Sequence, residues 1–243
     1  MPNPMHITFL GNSLVEGRYG GSFVEAAAAH LPAYTITNAG VSGSTILNLA
    51  ARLDSVLDGQ PDGVFLVCGG NDAISYSQPD TRRYYEQVQG VPGGIVPPDL
   101  FASTYRDVLL RLQMNHVLAW VGLGQAEVNP AVVAAMTHYN ALAREAAASL
   151  NIPTLDLTAE LAPPSVADRP PLSLASINLI GQRMRSGWQD YEAERIRGGY
   201  TFTFDGLHLT PTAAQHIGQR VATFLNAQLQ VPPSPHEVSV NES

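Results

Sequence analysis

Val64-Phe65-Leu66-Val67-Cys68-Gly69-Gly70-Asn71-Asp72 is an unbroken apolar run that stops abruptly in two glycines, an amide and an acid. A strand with one wet face alternates apolar and polar residues. A strand that is apolar throughout is covered on both faces, which is the habit of parallel sheets with helices packed on each side. Working outward, residues 5–10 read as an earlier strand that ends in Gly11-Asn12-Ser13, and residues 34–38 as a second. Residues 117–121 and 152–157 read as a fourth and a fifth. Helical signals separate them. Ser22-Phe23-Val24-Glu25 has the form of a capping box before an Ala-rich run. A helix starting at Ser44 puts Ile46, Leu49, Leu53 and Val56 or Leu57 on one face, and Phe101, Tyr105, Val108, Leu109 and Leu112 mark another. Asn129-Pro130 opens a helix to about Leu150, and Thr210-Pro211 a last one to about Leu229. The alternation predicts one α/β domain over residues 1–230, a parallel sheet between two helical layers. Ligands of such sheets bind beyond the carboxyl ends of the strands.

Two segments break the pattern. Residues 77–98, rich in Gly, Pro, Gln and Tyr, read as a long loop near that end of the sheet. In the insertion at 163–200, Ile177, Ile180, Met184, Trp188 and Tyr191 recur at helical steps. They predict one amphipathic helix, packed on the core or lying as a cover over a site. Tyr84-Tyr85 and Trp188 suit packing, with stacking on a sugar or lining a pocket as the functional reading. The Pro/Ser/Glu-rich 231–243 reads as a disordered tail.

Composition removes several function classes. A chain of 243 residues with a formal charge of −8 and no Lys/Arg cluster is a poor partner for nucleic acid. Cys68, the single cysteine, permits no internal disulfide and reads as a buried structural thiol. The first apolar segment, Ile7-Thr8-Phe9-Leu10, is too short for a signal peptide or a membrane span. The expected location is therefore the cytoplasm, although a processed mature chain would read the same. His6, His30, His116, His138, His216 and His236 are scattered, with no metal-binding spacing. Gly122-Leu123-Gly124-Gln125-Ala126-Glu127 approaches a dinucleotide fingerprint but follows the fourth strand and ends in Glu. No cofactor and no metal are expected.

The chemistry gathers in four loops at strand ends or helix starts: Gly11-Asn12-Ser13-Leu14, Asn38-Ala39-Gly40-Val41-Ser42-Gly43, Gly69-Gly70-Asn71-Asp72 and Asp205-Gly206-Leu207-His208. Singly, each has a structural use as cap or turn. Together they supply what ester cleavage needs. A serine hydroxyl requires a base to take its proton, and histidine titrates in the right range. A carboxylate on the far ring nitrogen fixes the tautomer, and N–H groups must meet the oxyanion. Ser13, His208 and Asp205 fill the first three roles. The Ser13 N–H, the unobstructed Gly40 N–H and the Asn71 amide are candidate oxyanion donors.

These four blocks, in this order, resemble the SGNH/GDSL hydrolase superfamily, whose name records its Ser, Gly, Asn and His. Ser13 stands at the nucleophile of its G-D-S-L block, Gly40 and Asn71 at its oxyanion donors, and Asp205 and His208 at its D-x-x-H block. The resemblance runs from Ile7 to about Ile217, and nothing in 163–200 matches a motif. It implies a three-layer α/β/α sandwich, flavodoxin-like, with a five-stranded parallel sheet, and a serine ester hydrolase acting on small-molecule esters. An acyltransferase using the same residues and a non-catalytic ligand-binding relative are the competing readings. Asn12 stands where the family carries Asp, which puts the positioning of the Ser13 loop in question. The sequence gives no expectation for oligomeric state.

Overall fold

The computed structural model describes residues 4–229, so the tail expected at 231–243 lies outside the described residues. Five parallel strands, β1 (His6–Gly11), β2 (Thr35–Gly40), β3 (Gly63–Val67), β4 (Leu118–Leu123) and β5 (Thr154–Asp156), form one sheet in the order β2-β1-β3-β4-β5. This is the flavodoxin-like order. Its strands alternate their side chains between two cores. Ile7, Phe9 and Phe65 enter one, and Leu10, Val64 and Leu66 the other.

The first core is closed by α2 (Phe23–Ala29) and α11 (Pro211–Leu229). The second is closed by α3 (Ile46–Ala51), α4 (Leu53–Asp58), α5 (Gly70–Ser77), α7 (Pro98–Met114) and α8 (Pro130–Ser149), with α6 (Arg82–Gln87) at its edge. The four-residue α1 (Ser13–Glu16) follows β1 directly, while α9 (Leu174–Ser186) and α10 (Tyr191–Gly198) lie in the insertion. Caps act where expected: the Ser22 hydroxyl accepts from Glu25 N (3.2 Å) and the Asn129 side chain from Val132 N (3.0 Å). No helix among the described residues is long and apolar enough to cross a membrane.

The structure corrects three expectations. The helix read from Ser44 starts after Thr45 and is split at Arg52, whose guanidinium donates to Ala39 O (2.7 Å) and Gly11 O (2.8 Å). Turning there lets one side chain tie the ends of β1 and β2. Residues 77–98 are not an open loop. They hold a 3-10 turn (Pro79–Thr81), α6 and a second turn (Pro92–Gly94), and they bury Tyr85, Val91 and Val96. Side chains hold this segment, through Thr81 Oγ1 on Gln78 O (2.7 Å) and Asn48 Nδ2 on Gln89 O (2.7 Å). Finally, the insertion forms two helices rather than one. Gly187 adopts a left-handed φ of 67°, which ends α9. Trp188 and Tyr191 then turn onto Tyr19 and Phe204 rather than continuing the α9 face.

Candidate active site

The chain passes from β1 to β2 on one side of the sheet and returns to β3 on the other. The carboxyl ends of β1 and β3 therefore flank the reversal point, where a crevice opens. The loop after β1 brings Ser13 there, and the loop after β3 brings Asn71. Asn12 caps α1, its side chain accepting from Leu14 N at 3.0 Å. That bond needs an acceptor oxygen and no charge, so the Ser13 turn is held without the family's Asp.

His208 arrives from the other end of the chain, on a tight loop closed by Phe204 N on His208 O (3.1 Å). Its Nε2 lies 3.1 Å from Ser13 Oγ, and its Nδ1 2.8 Å from Asp205 Oδ2. The other Asp205 oxygen accepts from Leu207 N (2.9 Å) and His208 N (2.8 Å). Burial alone would raise the Asp205 pKa. The His208 ring and the two backbone N–H groups outweigh it and hold the carboxyl below its ordinary value. A carboxylate can only accept, so Nδ1 carries the proton and Nε2 presents its lone pair to Ser13. Tyr19 meets the His208 ring edge to face at 5.0 Å, and burial pushes its own pKa up to about 12.

The loop carrying Asp205 and His208 is anchored by a residue outside the four motifs. Glu127, buried in the loop after β4, accepts from the Thr201, Phe202 and Thr203 backbone N–H groups (2.8, 3.2 and 3.0 Å) and from Thr203 Oγ1 (2.6 Å). Its own N–H donates to Gly206 O (2.8 Å). Glu127 thus grips both sides of the Asp205 turn. It ended the failed dinucleotide fingerprint, and nothing local in the sequence marks it as more.

Asn71 sits in the first turn of α5, oriented by two bonds: its Nδ2 donates to Ser44 O (3.0 Å) and its Oδ1 accepts from Tyr85 Oη (2.9 Å). One amide hydrogen remains for the cavity. Next to it, Asp72 is fully buried and accepts from Ile46 N (2.9 Å). Desolvation pushes its pKa up to about 7 against those backbone bonds.

Gly40 is not brought to the site. β2 runs two residues beyond the strand expected at 34–38, so Gly40 still pairs with Gly11 inside the sheet. Its N–H donates to Asn38 Oδ1 (2.9 Å), and a Cβ there would lie 2.1 Å from Glu16 N. Its glycine is required by packing against α1. Of the two glycines in this loop motif, the one that lines the cavity is Gly43, at φ 78°, three residues on. Neither the Gly43 N–H nor the Ser13 N–H has a hydrogen-bond acceptor among the described residues.

A cavity of about 370 Å³ joins these groups, walled by Ser13, Gly43, Asn71 and His208 on one side and by α9 on the other. Tyr84 and Tyr85 line it, whereas Trp188 packs against Tyr19 under the Arg183 guanidinium (4.0 Å from its ring centre). The sequence model of the GDSL-like Lipase/Acylhydrolase family matches residues 9–216. The chain belongs to that family. It is a hydrolase of the GDSL type.

Among solved structures, this GDSL hydrolase is similar to the acetyl xylan esterase AlAXEase (18% identity, 91% of this chain and 100% of that one, TM-score 0.62). It is also similar to a lipase/acylhydrolase from Enterococcus faecalis (16%, 92% and 96%, TM-score 0.63). A third is a catalytic mutant of an acetylxylan esterase from Geobacillus stearothermophilus (15%, 96% and 97%, TM-score 0.60). At these identities the likeness is one of fold. No curated protein matches the chain.

Proposed function

We propose that this GDSL hydrolase cleaves carboxylic esters through an acyl-enzyme on Ser13. The observation that carries the reading is the continuous array Ser13 Oγ–His208 Nε2 (3.1 Å) and His208 Nδ1–Asp205 Oδ2 (2.8 Å), opening on a cavity. His208 Nε2 takes the Ser13 proton as Oγ bonds to the ester carbon, and the carbonyl oxygen gains the negative charge. The Ser13 N–H, the Gly43 N–H and the spare Asn71 amide hydrogen receive that charge, Gly43 replacing Gly40 in the role. Collapse breaks the ester C–O bond, and the His208 proton passes to the departing alcohol. A water molecule then attacks the acyl carbon while His208 takes its proton, and the carboxylic acid leaves with Ser13 restored. Asp205 keeps the ring oriented and stabilises its charged form throughout. No step calls on a cofactor.

A fluorophosphonate probe tests this. One equivalent on Ser13, identified by peptide mass spectrometry, with labelling lost in His208→Ala, is the expected result. Folded protein that remains unlabelled, or labelling indifferent to His208→Ala, would remove the proposed nucleophile–base pair.

A further inference from the structure

We infer that the cavity takes an aliphatic chain carried by the ester, and that Gly181 sets how long that chain can be. The inference rests on the esterase reading and adds a substrate class to it. Ile177, Ile180 and Met184 line the cavity from α9, and Ile74, Val132 and Met136 line it from α5 and α8. Yet α9 has no buried residue. Its apolar stripe faces the body of the protein across a space of about 370 Å³, within the ~300–1,000 Å³ of small-molecule sites. Two apolar walls held apart leave surface that water solvates poorly and that an apolar guest would cover. Ser176, Asn178 and Arg185 also line the cavity from α9, beside the apolar stripe that Ile177, Ile180 and Met184 form at helical spacing.

Gly181 stands in the interior of α9, on the cavity wall, four residues after Ile177 and three before Met184. Glycine is unfavourable there relative to alanine. Neither of the usual reasons for it applies. Its backbone is helical, and an added Cβ would meet only Arg185 Nη1, the tip of a flexible side chain, at 3.4 Å. Gly40 shows the contrast, because a Cβ there meets backbone at 2.1 Å. What the missing side chain at 181 provides is depth in the cavity.

The test uses the full chain with two series: p-nitrophenyl esters from acetate to octanoate, and alkyl acetates from methyl to octyl. Wild type should gain about fourfold in kcat/KM per methylene along one series until the cavity is full. The series that rises assigns the chain to the acyl or the alcohol half. Gly181→Leu should lose at least about tenfold more in kcat/KM on the longest ester than on the shortest, through KM. Gly181→Ala, which favours the helix, controls for folding and should cut the profile only at its far end. Profiles flat in both series, or a Gly181→Leu profile like that of wild type, overturn the inference while turnover of acetate leaves the esterase reading standing. No turnover of any ester, with Ser13 unlabelled by the phosphonate, overturns both.

Discussion

The Asp205–His208 loop and α9 border the same cavity, with α10 following α9 in the insertion, and the loop and this helix pair are built on opposite terms. The loop is buried and fully anchored: Glu127 holds the backbone of Thr201–Thr203, Asp205 Oδ1 holds Leu207 N and His208 N, and Phe204 lies in the core. Neither α9 nor α10 contains a buried residue. Those helices are tied down by a few long side chains. Arg183 bonds Glu194 (2.8 Å) over Trp188, and Arg169 spans from Glu127 O (2.9 Å) to Gly198 O (2.6 Å). Chemistry tolerates little error in placement, and the groups proposed to handle the proton sit on backbone pinned from several sides. A wall that only selects substrates can be attached more loosely, and can change without disturbing the reaction.

The comparison breaks first at Glu127. Glu127→Gln keeps the size but leaves one acceptor oxygen for four donors, and its amide hydrogens then face backbone N–H groups. We expect kcat to fall by about 10–10²-fold with KM little changed, the scale on which remote misplacement acts. In an Asp205→Ala background the same substitution should cost much less, because the loop then has no carboxylate to position. Equal losses in both backgrounds would make Glu127 a general stabiliser and erase the contrast.

The other side of the comparison is sharpened at Arg183. Arg183→Ala removes the bond to Glu194 and the cation over Trp188. Turnover of a short ester should stay within about twofold, while KM for a long-chain ester rises by about threefold to tenfold, the scale of a cation–π contact and a partly buried ion pair. Steady-state kinetics on acetate and octanoate esters measures both. An equal kcat loss on both esters would mean that the helices support the chemistry itself.

The same division governs what could be read from the sequence. The strands were legible within about two residues: the central ones because burial on both faces writes apolar runs, and the exposed edge strand β2 only as a short segment between helical signals. The convergence of Ser13, Asp205 and His208 was legible because each sits where a strand or helix boundary fixes its place. Gly40 and Gly43 share one loop motif, and only the true end of β2 shows that Gly43, not Gly40, reaches the cavity. Glu127 escaped notice because its partners lie at 201–203, a pairing that exists only after folding. The insertion looked like one helix because Met184, Trp188 and Tyr191 keep helical spacing across Gly187. The left-handed residue turns the backbone there while the aromatic rings still find a common cluster.

The central claim is that the loops after β1, β2 and β3, together with the loop before α11, surround one carbon atom with Ser13, His208 and three N–H donors. A crystal structure of the phosphonate adduct on Ser13 tests it most directly. The account predicts the phosphoryl oxygen within hydrogen-bond distance of Ser13 N, Gly43 N and Asn71 Nδ2, with Gly40 N still bonded to Asn38. An oxygen turned to solvent, or held by Gly40 instead, would contradict it.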